Sequence, residues 1–150
     1  MAILECGINL GNRSLIETKY YSSSDVLEPD LRAGFLSALE SFTSEVFGDD
    51  INVVSLASLK LVCNCEMIAL PGGDEKNVQP LLAYAIIEKE TDSDVVKKLL
   101  YEILQNFLNR YSINDIFSKK GKFFKKFYVR IDNTLGDLRL KTEDRFKSLF

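Results

Sequence analysis

The chemistry open to this sequence is limited first by a missing residue: the 150-residue chain contains no histidine. That removes the usual general base, the usual activator of a nucleophile and the commonest zinc ligand together. What remains is Cys6, Cys63 and Cys65, the carboxylates Glu5, Glu66 and Glu88, a Pro71-Gly72-Gly73 loop, and a segment from Lys119 to Arg130 rich in lysine and phenylalanine. Cys63 and Cys65 alternate, so a strand carries both thiols on one face. A structural zinc site needs four ligands, often from a turn-borne C-x₂-C pair. Only Cys6 is left to add, so the cysteines are expected to be reduced and to pack as small hydrophobes. No metal and no cofactor is expected.

The Pro71-Gly72-Gly73 loop lacks the G-x-x-x-x-G-K-[ST] pattern of a phosphate loop and does not lead straight into a helix. It reads as a solvated loop. Glu5, Glu66 and Glu88 fall on strands, where alternation is expected to leave them at wet ends with nothing to pair them. An acid–base centre needs convergent groups, so no catalytic residue is expected and the chain reads as a non-enzyme.

Lys119, Lys120, Lys122, Lys125, Lys126 and Arg130 form the basic patch of the sequence. Phe123, Phe127, Ile131 and Leu135 are four apart, so a single helix here would carry one apolar arc and one cationic arc. The apolar arc is expected to dock on a sheet and leave the cations outside. Such a face suits anionic lipid or an acidic protein. Nucleic acid is disfavoured, because the whole chain has a pI of about 5.1 and no RNA-binding motif.

The elements that hold these residues follow from periodicity. Residues 3–9 and 14–21 read as two strands joined by a Gly11-Asn12 turn. Leu31, Phe35, Leu39, Phe42 and Val46 read as a first helix, entered at Pro29 and ended at Gly48. Strands follow at 51–56 and 59–69. The nearly unbroken apolar run 81–87 reads as a central strand covered on both faces. A second helix spans about 95–111 after caps at Thr91 to Asp94. Residues 112–121 read as a connector, the third helix runs through Phe123 to Leu135, and 138–150 reads as a helical tail. Residues 1–94 hold 6 Lys/Arg against 16 Asp/Glu, whereas residues 95–150 hold 13 against 6. The net charge of −3 thus hides an acidic first part and a basic last part. No apolar run approaches the ~20 residues that span a bilayer, and the start lacks a signal-peptide pattern, so a cytoplasmic protein is expected.

Several residues add a resemblance to this outline. Gly7 in the opening strand, Lys19-Tyr20-Tyr21 at the end of the next, and Leu31-x₃-Phe35-x₃-Leu39-x₂-Phe42-x₄-Phe47-Gly48 resemble the first hairpin and helix of longin domains. Phe107-x₃-Tyr111 and Phe123-x₂-Lys126-Phe127-x₄-Asp132-x₂-Leu135 resemble the later helices of free-standing longin proteins of archaeal type. The likeness covers residues 2–136, leaving 137–150 as a helical extension of one domain spanning 1–150.

The resemblance implies an α/β (α+β) fold of the profilin-like kind. Its order would be β-β-α-β-β-β-α-α: a five-stranded antiparallel sheet with one helix on one face and two on the other. It implies a protein-binding scaffold of the sort used in vesicle trafficking and small-GTPase regulation. It also implies contact through the first helix and the strand after it, with Arg32, Leu36, Val53 and Ser55 as the partner-binding residues. The partner classes are a small GTPase, another longin or roadblock-type domain, a second copy as a homodimer, and an anionic membrane met peripherally. No coiled-coil heptads or membrane anchor follow the pattern, so a fusion role is not expected. The competing expectation is a small-ligand-binding sensory domain of profilin-like type, which a polar cluster buried against the sheet would reveal.

Overall fold

A computed structural model describes residues 3–11, 13–20, 34, 37, 53–56, 59–72 and 78–139. The strands are β1 (Ile3–Leu10), β2 (Arg13–Lys19), β3 (Val53–Leu56), β4 (Leu59–Ala69) and β5 (Val78–Glu88). They form one antiparallel sheet in the order β2-β1-β5-β4-β3. The apolar run 81–87 lies within β5 and is buried throughout, with β1 on one side and β4 on the other.

After the sheet come α1 (Ser93–Arg110), α2 (Ile113–Ser118), a 3-10 helix (Gly121–Phe127), α3 (Tyr128–Leu135) and a second 3-10 turn (Gly136–Arg139). Asp92 opens α1 by accepting hydrogen bonds from the Asp94 and Val95 amides at 2.9 and 3.4 Å. Ser112 caps α2 in the same way, accepting from the Asp115 amide at 3.1 Å. Each cap satisfies amide donors that have no partner within the helix.

The fold is α+β, but the longin-like arrangement expected from the sequence needs correction. Among the described residues the body of the sheet is four long strands, and β3 adds only four residues at its edge in place of a fifth full strand. The sheet is followed by three α-helices and two 3-10 segments among the described residues, not by two helices. The supposed connector 112–121 contains α2, because Ser112 supplies a cap that starts a helix there. The first helix expected at 31–46 lies outside the described residues apart from Gly34 and Ser37, which are helical. The expected tail helix also lies outside them beyond Arg139.

The helices that follow the sheet pack on one of its faces. There Val96, Leu100, Ile103, Leu104, Phe107, Ile116, Phe124, Phe127, Ile131 and Leu135 share a core with Cys6, Ile8, Ala83, Ala85, Ile87 and Val62. Strand alternation turns Glu5, Gly7, Leu82, Tyr84, Ile86, Leu61 and Cys63 to the opposite face, where all are buried as well. Cross-strand register lines up Gly7, Tyr84 and Cys63 in one row and Glu5, Ile86 and Leu61 in the next. β4 therefore has no single wet face. It is buried on both faces from Leu61 to Cys63 and exposed at Glu66 and Met67.

Candidate functional site

The Lys119–Arg130 segment does not form one α-helix. Gly121–Phe127 winds as a 3-10 helix, with three residues per turn, and α3 begins only at Tyr128. The inward residues are consequently Phe124 and Phe127, three apart, followed by Ile131 and Leu135 at steps of four. Phe123, expected in the apolar arc, is displaced to the surface and is 46% exposed. Its ring lies 5.7 Å from that of Tyr111, and the Lys119 ammonium sits 5.6 Å from the Phe123 centroid.

Non-local contacts force this winding. The Arg13 guanidinium donates to the carbonyls of Ile116 at 2.9 Å and Phe117 at 3.1 Å, near the end of α2 where carbonyls lack helical partners. Gly121 then passes so close to β2 that an added Cβ would lie 3.0 Å from the Leu15 carbonyl oxygen. Further on, the Tyr128 hydroxyl donates to the Glu17 carbonyl at 3.1 Å, and the Tyr20 hydroxyl donates to Asp132 Oδ1 at 2.5 Å. Leu15 and Glu17 have the same parity, so their carbonyls leave β2 on the same side. Two outward carbonyls of β2, those of Leu15 and Glu17, are thus covered on the edge away from β1.

Lys119, Lys120, Lys122, Lys125, Lys126 and Arg130 are all exposed on this docked segment. Among the described residues none of them is paired with a carboxylate. A seventh cation, Arg110 at the end of α1, joins them. It shares an open depression of about 450 Å³ with Lys126, Val129, Arg130, Asn133 and Thr134. Val129 is 64% exposed, so the face offers apolar contact as well as charge.

The four residues expected to bind a partner are not brought to this face. Arg32 and Leu36 lie outside the described residues. Val53 is half-buried against the helix-face core and Ser55 is exposed, both on β3 at the far end of the sheet. With strands about 4.8 Å apart, β3 lies about 19 Å across the sheet from β2. Among the described residues β3 has one neighbour, β4, with Val53 opposite Val62 and Ser55 opposite Lys60.

The carboxylates correct another expectation. Glu5 is not at a wet end: it is buried, and its Oε2 accepts from the Tyr84 hydroxyl at 2.8 Å. Burial first, then the Glu5 charge, raises the Tyr84 hydroxyl pKa and keeps it protonated as the donor. Glu66 is exposed on the helix face, accepting from Gln105 Nε2 at 3.1 Å, and Glu88 lies at the far end of β5. The three do not converge. Asn9, in the same strand as Glu5, has a buried Oδ1 with no hydrogen-bond partner among the described residues. The opposite face of the sheet is therefore more polar than the sequence suggested.

The cysteines are divided by the sheet, with Cys6 on the helix face and Cys63 on the other. Burial is the first cause of a raised thiol pKa at each: Cys6 is pushed up to about 12, Cys65 to about 11, and Cys63 also upward. Thiolates are the reactive form. A chromogenic disulfide reagent at pH 8 should accordingly modify half-buried Cys65 first, and Cys6 and Cys63 only on unfolding. Immediate reaction of all three in the native protein would refute this burial. The pH linkage has a definite sign. A folded-state pKa of about 12 at Cys6, above its ordinary value of 9.0, gives stability that is intact below pH 9 and is lost as pH rises toward 12.

No protein-family model matches this chain. No curated protein matches it either. The resemblance to longin proteins rests on the residue pattern alone. Sequence reasoning missed Arg110, because it lies outside the lysine run, and missed the Glu5–Tyr84 pair, whose members are 79 residues apart.

Proposed function

We propose that this domain is a non-catalytic scaffold of the cytoplasm that rests on an anionic phospholipid surface through its lysine-rich face. The observation that carries the reading is the set of six exposed cations from Lys119 to Arg130, unpaired among the described residues and presented on a segment docked by its phenylalanines. Five of the six are lysines. Lysine is depleted at protein–protein interfaces, whereas clusters of four to eight lysines and arginines suit anionic lipid. Each cation near such a surface contributes about 1 kcal/mol, against roughly 0–1 kcal/mol for an exposed ion pair with a protein. Phe123 and Val129 add shallow apolar contact. Among the described residues no helix is long and apolar enough to cross a membrane, so the contact would be peripheral.

A second reading concerns the other end of the sheet. β3 has one strand neighbour among the described residues, which favours a protein partner that adds a strand beside Val53 and Ser55. The partner classes the sequence suggested, a small GTPase or a longin or roadblock-type domain, belong to this reading. It is compatible with the first, because the two surfaces are at opposite edges.

Sedimentation with phosphatidylserine-containing vesicles tests the main reading. Wild-type protein should bind at low salt and weaken at moderate salt. The Lys122→Glu, Lys126→Glu, Arg130→Glu triple variant should bind at least about 100-fold more weakly, since three contributions of about 1 kcal/mol are removed and reversed. Absence of wild-type binding at low salt would remove the membrane role.

A further inference from the structure

The six-cation face is diffuse, but its far end is not. The depression of about 450 Å³ is formed where the end of α1 meets α3. Lys126 at the end of the 3-10 helix lies three, four and seven residues before Val129, Arg130 and Asn133 of α3, and all four line the depression. Arg110 reaches the same depression from a different element. Its guanidinium carbon lies 5.7 Å from the centroid of the Tyr111 ring, within the range of a cation–π contact. Three cations thus converge from α1, the 3-10 helix and α3, and among the described residues no carboxylate lines the depression.

The neutral groups sharpen the chemistry. The Thr134 hydroxyl donates to the Arg130 carbonyl at 2.8 Å, so its proton is already engaged. The exposed Asn133 carboxamide remains as the uncharged donor. Two guanidinium forks, an ammonium and an amide suit one compact group with several oxygens and more than one negative charge. A phosphodiester presents a single charge and two free oxygens, which any surface lysine can meet. A phosphomonoester presents three oxygens and close to two charges, and uses convergent donors far better. Exposed Val129 on the rim places apolar surface beside the charge, as contact with the lipid interface requires.

We infer that this depression is a binding site for a phosphomonoester-bearing lipid headgroup, held by Arg110, Lys126, Arg130 and Asn133. The inference rests on the membrane reading above and adds selectivity to it. Arg110 is the residue that separates the two, since it lies outside the lysine segment that supplies general attraction.

The test compares vesicles of equal surface charge, one set carrying phosphatidylserine and the other phosphatidylinositol 4-phosphate, at about 0.15 M salt where diffuse attraction is screened. Wild-type protein should bind the monoester vesicles at least about tenfold more tightly. Arg110→Gln should bring the ratio of the two affinities to about one, and Asn133→Asp should do the same through repulsion. Lys120→Gln removes a like charge outside the depression and should lower both affinities while preserving their ratio. Soluble inositol 1,4-bisphosphate should compete for the wild type and not for Arg110→Gln. Equal binding to the two vesicle sets overturns the site while leaving general adsorption intact. No binding to either set, even at low salt, overturns both readings. Arg110-dependent binding of a phosphoserine peptide, without preference between the vesicles, overturns lipid as the source of the phosphate.

Discussion

Phe107→Ala should lower the free energy of unfolding by about 4 kcal/mol, near the upper end of what a single truncation costs. Phe107 has no exposed surface and stands where α1, the 3-10 helix and α3 meet. Its ring centroid lies 5.0 Å from that of Tyr111 and 5.2 Å from those of Phe124 and Phe127, at tilted or edge-on angles. Truncation removes a whole ring from inside this group, and three neighbouring rings cannot all move in to fill the space. The loss should also loosen the docking of Phe124 and Phe127, and with it the cationic face. Denaturant unfolding measures the first effect, and vesicle binding by the folded fraction measures the second. A loss under about 1 kcal/mol would mean that the ring cluster does not hold these elements together.

Gly7→Ala should be comparably damaging for a different reason. A Cβ at this position would lie 2.6 Å from the Ile16 carbonyl oxygen, 2.6 Å from Tyr84 Cε1 and 2.7 Å from the Tyr84 hydroxyl. The carbonyl belongs to the β1–β2 ladder and cannot retreat without breaking pairing. The Tyr84 ring lies over the glycine, and moving it aside would pull its hydroxyl from Glu5. Overpacking of this kind costs about 1–3 kcal/mol, and a buried carboxylate that loses its donor adds about 1–3 kcal/mol. A total of about 4 kcal/mol is expected. Tyr84→Phe keeps the ring and removes only the hydrogen bond, so it should cost about half as much. Gly7→Ala with wild-type stability would show that the tyrosine does not lie over the strand as described.

The parts of the fold legible in the sequence are those set by local pattern. β5 could be read because every residue from Leu81 to Ile87 is apolar or aromatic, which suits a strand covered on both faces. α1 could be read from its apolar spacing and from Asp92 ahead of it. The cationic face was legible as composition, since lysines between phenylalanines remain outside whichever way the segment winds.

What could not be read depends on distant residues. Phe123–Phe127 and Phe124–Phe127 both fit a helical stripe, and only the approach of Gly121 to Leu15 and the Phe107 ring select the second. The helix at Ile113–Ser118 is one short turn and a half, too brief to leave a periodic signature. Glu5 reads as a wet residue until Tyr84 is placed beside it. The placing of α1, α2, the 3-10 helix and α3 on one face is likewise a result of packing, which a resemblance in apolar spacing does not determine.

The covering of β2 has a consequence for assembly. Fibre growth by strand addition needs two pairable ends on each unit, as a chain of dominoes does. Here Gly121 and Tyr128 lie against the outward carbonyls of Leu15 and Glu17, so an added strand is obstructed at these two positions of β2. Among the described residues, β3 is the end left to accept a strand. A second copy joined edge to edge through β3 about a twofold axis would leave the two obstructed β2 ends outermost. The same contacts that hold the cationic face in place therefore disfavour strand addition at the β2 edge.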